Sequence, residues 1–209
     1  MIERAQYEPT IYGDSISGNC YKLQLVCAQL DIDYVWHEVD IMAGEARTPE
    51  YRAMNANGKV PLLALPDGRY LPESNAILAY LADGSPLVGE DRFERANVLH
   101  WMFFEQYSHE PYIATSRFIV QYLGNPPERQ DDLEQKRKLG YRALKIMDQH
   151  LSSHDFLAND AYGIADIALF AYTHVAHEGG FDLSAYLKVS EWLDRVRATP
   201  GFVAMKSSA

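Results

Sequence analysis

Hydrophobic and polar positions follow two different periods along the chain. Between residues 10 and 82, short runs typical of strands alternate with stretches in which apolar residues recur at i, i+3, i+4 and i+7, the spacing of one helical face. The strand-like runs are Thr10–Gly13, Tyr34–Val39 and Val60–Leu65, and a helical stripe spans residues 23–30. This alternation predicts an α/β fold for the first part of the chain.

A tight turn follows the last of these runs. Pro66–Arg69 (PDGR) has the residues of a hairpin turn, so we expect at least the last pair of strands to be antiparallel. Beyond Pro72, the apolar residues Ile77, Tyr80 and Leu81 mark the face of a further helix.

The segment from Asp83 to Asp91 (DGSPLVGED) is rich in residues that break regular structure. Beyond it the pattern is helical throughout, with apolar stripes within residues 144–151 and 189–196. We therefore predict an N-terminal tail at residues 1–9, an α/β domain at 10–82, a linker at 83–91 and an all-helical domain at 92–209.

Composition narrows the functional classes. The 209 residues carry a formal charge of −10, which argues against a nucleic-acid binder because such proteins neutralise phosphates with clustered Lys and Arg. There is no apolar run long enough for a membrane span, and the first residues, Met1–Arg4, lack the apolar core of a signal peptide. We expect a cytoplasmic protein without a membrane partner.

The two cysteines, Cys20 and Cys27, lie seven residues apart in one predicted helix. Their Cα atoms would be about 10.5 Å apart at the helical rise, too far for a disulfide. Reduced thiols agree with a cytosolic location.

Three short elements carry candidate chemistry, and the first is Ser15–Cys20 (SISGNC) at the junction between a strand and a helix. It has the spacing of a Cys-x-x-Cys redox motif but with Ser17 in place of the first cysteine. A hydroxyl at this point lies where unpaired N–H groups and the helix dipole favour an anion. The alternative is that Ser17 is an ordinary N-cap residue.

The second and third elements are Lys59-Val60-Pro61 and Glu73-Ser74. If the Val60–Pro61 bond is cis, Val60 can offer its N–H and C=O to an extended peptide; a trans proline that opens a strand is the alternative. At the start of a helix, Ser74 can hold a carboxylate and Glu73 an ammonium, which together suit an amino-acid head group. Ordinary capping would also explain both residues.

Taken in order, these segments resemble those of the bacterial cytosolic glutathione S-transferases, in particular the theta-like, serine-type and related classes. The segments are YGDSISGNCYK from Tyr12, NANGKVPLL from Asn55, ESNAILAYL from Glu73, and GIADIALF and ATPGF in the helical half. The resemblance covers nearly the whole chain from Thr10. It implies a thioredoxin-like N-terminal domain that binds glutathione, followed by an all-α domain that supplies most of the second-substrate pocket.

The resemblance also implies roles for the three elements. Ser17 matches the catalytic serine, which would hold the glutathione thiolate by a hydrogen bond, and Asn19 is a second candidate near the sulfur. Val60 would pair with the cysteinyl backbone of glutathione, and Pro61 would be cis.

The same resemblance assigns the two ends of glutathione. Glu73 and Ser74 would hold the γ-glutamyl end, and Lys59 is a candidate for the glycine carboxylate. Cys20 is a rival to Ser17 because, if exposed, it could form a mixed disulfide with glutathione; a small buried residue is the alternative.

Two residues depart from the family pattern. Ala56 stands where a proline is usual, which loosens the approach to Lys59-Val60-Pro61. Gly163 stands where Ser or Thr usually begins a capping box, so that only the half supplied by Asp166 remains.

The helix from Trp101 to Tyr112 is dense in aromatic residues, most of which are expected in the core. By the resemblance, one of its faces lines the pocket for a small hydrophobic electrophile. The candidates for this pocket are Phe104, Tyr107 and Tyr112, with Arg117 for an anionic substrate.

Two pairs of histidines, His150 with His154 and His174 with His177, have helical spacing, but no third ligand accompanies either pair. We predict no metal site.

The sequence thus predicts a homodimeric glutathione S-transferase with glutathione as co-substrate. A glutathione-dependent disulfide reductase or peroxidase is the alternative within the same chemistry. A non-catalytic protein of the same fold that binds glutathione or another ligand is the alternative from another class.

Overall fold

The structure is a computed structural model that describes residues 8–206. The chain forms two compact units: the first runs to Asp83 and takes in the chain again from Gly201, and the second is Gly84–Pro200. Most of the predicted tail at residues 1–9 lies outside the described residues. In the described part, no helix is both long and apolar enough to cross a membrane.

The end of the chain differs from the predicted boundary at residues 92–209, because from Gly201 onward it groups with the first unit. The Tyr21 hydroxyl donates a hydrogen bond of 2.7 Å to the Val203 carbonyl. Gly201, at φ +72°, lies so close to Gln29 that a Cβ would come within 3.0 Å of the Gln29 Cα. Both contacts hold the end of the chain against the first helix, and a helical period after residue 91 cannot reveal them.

The first unit contains a four-stranded mixed sheet. Its strands are β1 (Thr10–Gly13), β2 (Val35–Glu38), β3 (Leu62–Ala64) and β4 (Tyr70–Pro72). They lie in the order β2-β1-β3-β4. Strand β1 is parallel to β2, whereas β3 is antiparallel to both β1 and β4. The predicted hairpin is therefore confirmed.

The described residues of the first unit form three α-helices: α1 (Gly18–Gln29), α2 (Pro49–Met54) and α3 (Ser74–Leu81). Helix α1 packs against α3, and the side chains of Leu23, Val26 and Ile77 are fully buried. Helix α1 is buried on most of its circumference, which is more than one apolar stripe would require.

The second unit is helical throughout its described residues. Its α-helices are α4 (Arg92–Phe104), α5 (Glu110–Arg117), α6 (Gln130–Leu151), α7 (Ile164–Thr173) and α8 (Leu187–Arg197). A π-helical turn, Glu105–His109, joins α4 to α5, and a second one, Phe118–Tyr122, follows α5. All residues of α7 are buried. The α/β unit followed by an all-α unit confirms the predicted fold class.

The start of α7 explains why glycine stands at position 163. A Cβ on Gly163 would lie 2.7 Å from the backbone carbonyl oxygen of Leu87, so the close approach of two backbones disfavours the usual serine or threonine. Asp166 supplies the predicted half of the capping box by accepting the Gly163 N–H at 3.0 Å. Its other oxygen accepts from the Leu157 N–H and the Trp192 indole. Burial nevertheless raises the pKa of Asp166 to about 7.

Candidate functional site

Ser17 occupies the N-cap position of α1, directly after the loop that follows β1. It is 8% exposed, and its backbone is extended at φ −79° and ψ 126°. Although serine is a preferred N-cap residue, the Ser17 side chain makes no capping hydrogen bond to α1. The capping interpretation therefore does not account for its hydroxyl.

The backbone donors of the loop before α1 find other acceptors. A carboxylate oxygen of Glu38 accepts the Ser15 N–H at 2.8 Å, and Asp14 accepts the Ile16 N–H at 2.9 Å. The Ser17 N–H donates to the Asp14 carbonyl at 3.0 Å. Asp14 and Glu38 both flank the Ser15–Cys20 segment in space, although no motif in the sequence singles out either residue.

Hydrogen bonds also set the charge of Glu38. Burial alone would raise its pKa, but the Trp36 indole and the Ser15 N–H donate to its carboxylate, and the net effect lowers the pKa. The indole bond is 2.6 Å long. Glu38 is thus an ionised acceptor that fixes the loop.

The Cys20 thiol is fully buried. Burial raises its pKa to about 12, although a hydrogen bond with the Ser17 side chain acts in the opposite direction. A thiol with that pKa is protonated at neutral pH, and the thiolate is the reactive form. The structure therefore agrees with the alternative in which Cys20 is a small packing residue rather than a partner for a mixed disulfide.

The Lys59-Val60-Pro61 segment is held by two side chains to which the sequence assigned no role in the site. The Lys59 carbonyl accepts hydrogen bonds from the Tyr51 hydroxyl at 3.0 Å and from the Asn55 amide at 2.8 Å. The Val60–Pro61 peptide bond is cis, as the resemblance implies. No hydrogen bond joins the N–H or C=O of Val60 to the described part of the chain.

The departure at Ala56 leaves this turn intact. The Gly58 N–H donates to the Asn55 carbonyl at 2.9 Å, and the Asn55 side chain accepts the Asn57 N–H at 3.1 Å. Asn55 is therefore both the first residue of the turn predicted from the sequence and a residue that supports the Lys59 backbone.

Glu73 and Ser74 form the start of α3. Glu73 is exposed and has φ +74° and ψ 112°, a conformation that non-glycine residues rarely adopt and that is concentrated at functional sites. Ser74 is buried, and its hydroxyl donates to the Asn19 side-chain oxygen at 3.1 Å. The structure thus brings together Asn19 and Ser74, which the sequence placed in separate elements.

Lys22 adjoins these residues and was not singled out in the sequence. Its side chain is fully buried, and its ammonium donates to the Ser74 hydroxyl at 3.2 Å and to the Asn75 side-chain oxygen at 3.0 Å. Lysine is rarely buried in a protein, so no pattern of apolar residues could have placed it in the site.

The four candidates for the electrophile pocket differ in exposure. Phe104 is half-buried and packs edge-on against Trp101, Tyr112 is also half-buried, and Tyr107 is 84% exposed. Arg117 is 2% exposed, and its guanidinium donates to Glu178 at 2.7 Å. This burial gives Arg117 a structural role within the second unit rather than a place on a ligand-binding surface.

The histidine pairs have local partners. The rings of His150 and His154 stack at 4.1 Å, and His174 contacts the Phe170 carbonyl at 2.8 Å. Burial lowers the pKa of His174 to about 4. Among residues 8–206, no group of three or more His, Cys, Asp or Glu side chains is arranged to hold a metal ion.

Comparison with known proteins identifies the domain family of each unit. Residues 16–83 match the family model of the glutathione S-transferase N-terminal domain, and residues 97–200 match that of the C-terminal domain. The chain is 30% identical to glutathione S-transferase 2 of Anopheles gambiae over 201 residues, which covers 92% of each chain. It is 27% identical over 189 residues to the disulfide-bond oxidoreductase YfcG of Escherichia coli, with 87% of each covered.

Among solved structures, the crystal structure of a glutathione S-transferase from Pseudomonas fluorescens superposes with a TM-score of 0.93. The two chains are 50% identical, and the match covers 95% of this chain and 99% of that one. Both family models together span most of the sequence, in the order in which the two units occur. The chain therefore belongs to the glutathione S-transferase family.

Proposed function

We propose that the protein is a glutathione transferase in which the Ser17 hydroxyl donates a hydrogen bond to the glutathione thiolate. The observation that carries this role is the position of Ser17 at the N-cap of α1 without a capping hydrogen bond. Its hydroxyl therefore makes no bond to the backbone N–H groups of α1, although it does contact the Cys20 thiol. The buried, protonated Cys20 is unsuited to be the reacting thiol.

The reaction requires the enzyme to ionise a thiol that the substrate brings. An unperturbed thiol with a pKa of about 8.5 is only about 3% ionised at pH 7. Lowering this pKa by about two units, worth roughly 2.7 kcal/mol, makes the thiol mostly thiolate. The thiolate then attacks an electrophilic carbon, and the enzyme contributes ionisation and proximity.

The rest of glutathione would be held by the two other elements. Val60, whose N–H and C=O have no partner in the described chain, would pair with the cysteinyl backbone as an added strand does. Glu73 would bind the γ-glutamyl ammonium and Ser74 its carboxylate. Lys59, which is exposed, would contact the glycine carboxylate.

The second substrate would be a small hydrophobic electrophile. Phe104 and Tyr112 remain the candidates to contact it, because each is partly exposed on the helical unit and offers aromatic surface. A Tyr112 hydroxyl in contact with substrate could also donate to a leaving group.

A homodimer would cover an apolar face of the second unit. Phe93, Phe103 and Tyr107 are 77%, 67% and 84% exposed, and together with Ala96 and His100 they fall within one face of α4 and the turn that follows it. Exposed apolar faces of this kind mark interaction surfaces. This position favours Tyr107 as a contact between subunits over its predicted place in the electrophile pocket.

Disulfide reduction is a second candidate activity, favoured by the match to the disulfide-bond oxidoreductase YfcG. Parallel assays separate the two. Faster glutathione-dependent turnover of a chloronitroarene supports conjugation, whereas faster turnover of hydroxyethyl disulfide supports reduction. Glutathione binding without the ultraviolet absorbance of a thiolate near neutral pH would overturn both and leave a non-catalytic binding protein.

A further inference from the structure

We propose that Glu38 is a positioning residue for the reaction: its carboxylate holds the loop before α1 so that the Ser17 hydroxyl meets the glutathione sulfur. This inference rests on the proposed function, because it concerns how the same hydroxyl is aimed. It starts from a carboxylate at the end of β2, outside the three sequence elements of the site, that nevertheless bonds to the loop leading to Ser17.

The Glu38 carboxylate joins the sheet to this loop. One of its oxygens accepts the Ser15 N–H at 2.8 Å, and the other accepts the Trp36 indole N–H at 2.6 Å. Because each oxygen has a different donor, the carboxylate cannot turn without losing one of the two bonds. Hydrogen bonds to an ionised acceptor are stronger than those between neutral groups, so Glu38 is a firm anchor for Ser15.

The Trp36 side chain is itself fixed against β1. A Cβ on Gly13 would lie 2.6 Å from Cη2 of the Trp36 ring and 3.0 Å from the Cys20 sulfur, so glycine at this position leaves the room that the ring occupies. Gly13 also pairs with Glu38 in the parallel register of β1 and β2. The loop begins directly after Gly13, so Trp36 and Glu38 anchor its first residues to the sheet.

The position of Ser15 is passed on to Ser17 over a short distance. The Ile16 N–H donates to the Asp14 side chain at 2.9 Å, and the Ser17 N–H donates to the Asp14 carbonyl at 3.0 Å. These bonds make the four residues a tight turn, which moves as one piece when Ser15 moves. Because a hydrogen bond weakens steeply when its donor is misaligned, a displaced turn would weaken the bond from the Ser17 hydroxyl to a thiolate.

The charge of Glu38 opposes this geometric role. Burial is the main cause of the raised pKa of Cys20, but the charges of Asp14 and Glu38 act in the same direction, and a thiolate at the start of α1 would also be repelled. The Lys206 ammonium faces Glu38 and offsets part of that repulsion. Removing Glu38 therefore lowers the thiol pKa if only its charge matters, and raises it if its hold on the loop matters more.

The test is a double-mutant cycle in which the thiol pKa of bound glutathione is measured from the ultraviolet absorbance of the thiolate. In Glu38→Ala, the pKa should rise by about 1 unit, part of the 1–2 units that a hydrogen bond from Ser17 supplies. Turnover of a chloronitroarene at pH 7 should fall about threefold with it. When Ser17→Ala is already present, adding Glu38→Ala should not raise the pKa, because no hydroxyl remains to be aimed.

Two control variants separate the hold on the loop from other effects. Glu38→Gln removes the charge but keeps an oxygen that can accept the Ser15 N–H, so the thiol pKa should not rise. Glu50→Ala removes an exposed carboxylate from the first turn of α2 in the same unit and should leave the thiol pKa unchanged.

An unchanged or lower thiol pKa in Glu38→Ala would overturn the proposal, since the charge alone would then account for Glu38. An equal rise with and without the Ser17 hydroxyl would also overturn it, as would a rise in Glu38→Gln as large as that in Glu38→Ala. If the unaltered protein does not bind glutathione, or if Ser17→Ala alone leaves the thiol pKa unchanged, the proposed function itself fails, which distinguishes the two cases.

Should Glu38→Ala not fold, Trp36→Phe gives the answer, because it removes the indole donor and leaves the carboxylate charge in place. The thiol pKa should rise in this variant and should not rise when Ser17→Ala is already present. The absence of a rise, or an equal rise in both proteins, would contradict the role proposed for Glu38.

Discussion

Replacing Ser17 with alanine should separate catalysis from stability. The change removes only the hydroxyl, at an N-cap position where that hydroxyl makes no capping hydrogen bond. We expect the variant to bind glutathione nearly as well as the unaltered protein, because Val60, Glu73 and Ser74 remain. The pKa of the bound thiol should rise, and turnover at neutral pH should fall.

The structure sets the size of both effects. An ordinary N-cap substitution costs about 1 kcal/mol, but Ser17 has no capping bond to lose. The change removes only its hydrogen bond with the Cys20 thiol, a weak partner, so the unfolding free energy should change by about 0.5 kcal/mol, the low end for a hydrogen bond. A hydrogen bond to a charged group is worth about 1.5–3 kcal/mol, which corresponds to a rise in the thiol pKa of about 1–2 units. At pH 7, turnover should then fall about three- to twenty-fivefold, in proportion to the thiolate fraction.

The assay has two parts and a matched control. The thiol pKa is measured from the ultraviolet absorbance of the thiolate as glutathione-bound protein is titrated, and turnover of a chloronitroarene is followed over the same pH range. Thr48→Ala serves as the control in the same unit, because the Thr48 hydroxyl does accept a capping bond from the Tyr51 N–H at 3.2 Å. It should lose about 1 kcal/mol of stability and keep its thiol pKa.

Two results would refute the reasoning. An unchanged thiol pKa in Ser17→Ala would show that another group stabilises the thiolate. A loss of stability as large as that of Thr48→Ala would show that Ser17 acts as a cap after all. In the expected case, turnover of Ser17→Ala recovers as the pH rises through the new thiol pKa.

Three further substitutions test other parts of the structure. Cys20→Ala should leave conjugation nearly intact, because the thiol is buried and its pKa is raised to about 12; a large loss of turnover would move the chemistry to the protein thiol. Glu73→Gln should raise the KM for glutathione roughly tenfold with little change in kcat, and an unaltered KM would remove Glu73 from the ammonium site. Gly163→Ser should lower the melting temperature, at a cost of about 1–3 kcal/mol, since its Cβ would lie 2.7 Å from the Leu87 oxygen. A gain in stability there would mean that the completed capping box outweighs the backbone contact.

The fold could be predicted from the sequence because the strand and helix periods of its hydrophobic positions are strong and depend only on neighbouring residues. The strand-like runs at Thr10–Gly13 and Val60–Leu65, the hairpin turn and the helical stripes all correspond to elements of the structure. The position of the chain end could not be predicted, because residues from Gly201 are held by contacts with α1 across more than 150 positions of sequence. The hydrogen bond of Tyr21 with Val203 is an example.

The site could be predicted only in part, because some of its features depend on side-chain orientation and on contacts between distant residues. The order of Ser17, Val60 and Glu73 could be recognised, but whether a serine hydroxyl caps its helix depends on how the side chain turns, and sequence does not specify that. Lys22 was missed because a lysine is expected at the surface. The sequence also could not reveal that Arg117 is buried in an ion pair. Its partner, Glu178, lies 61 residues away, and no sequence pattern links the two residues.

The negative charges that flank the loop before α1 increase the stabilisation that Ser17 must supply to a thiolate, compared with a neutral site. Asp14 and Glu38 hold the loop as hydrogen-bond acceptors, yet the charge of each acts to raise the pKa of the nearby Cys20 thiol. A glutathione thiolate bound at the start of α1 would be repelled by the same two carboxylates. The Ser17 hydroxyl, the N–H groups of the first turn and the dipole of α1 must outweigh that repulsion before any lowering of the pKa appears. In Ser17→Ala the N–H groups and the dipole remain to oppose the two carboxylates, so the pKa of the bound thiol should rise by the 1–2 units of the lost hydrogen bond, toward the value of about 8.5 for a free thiol.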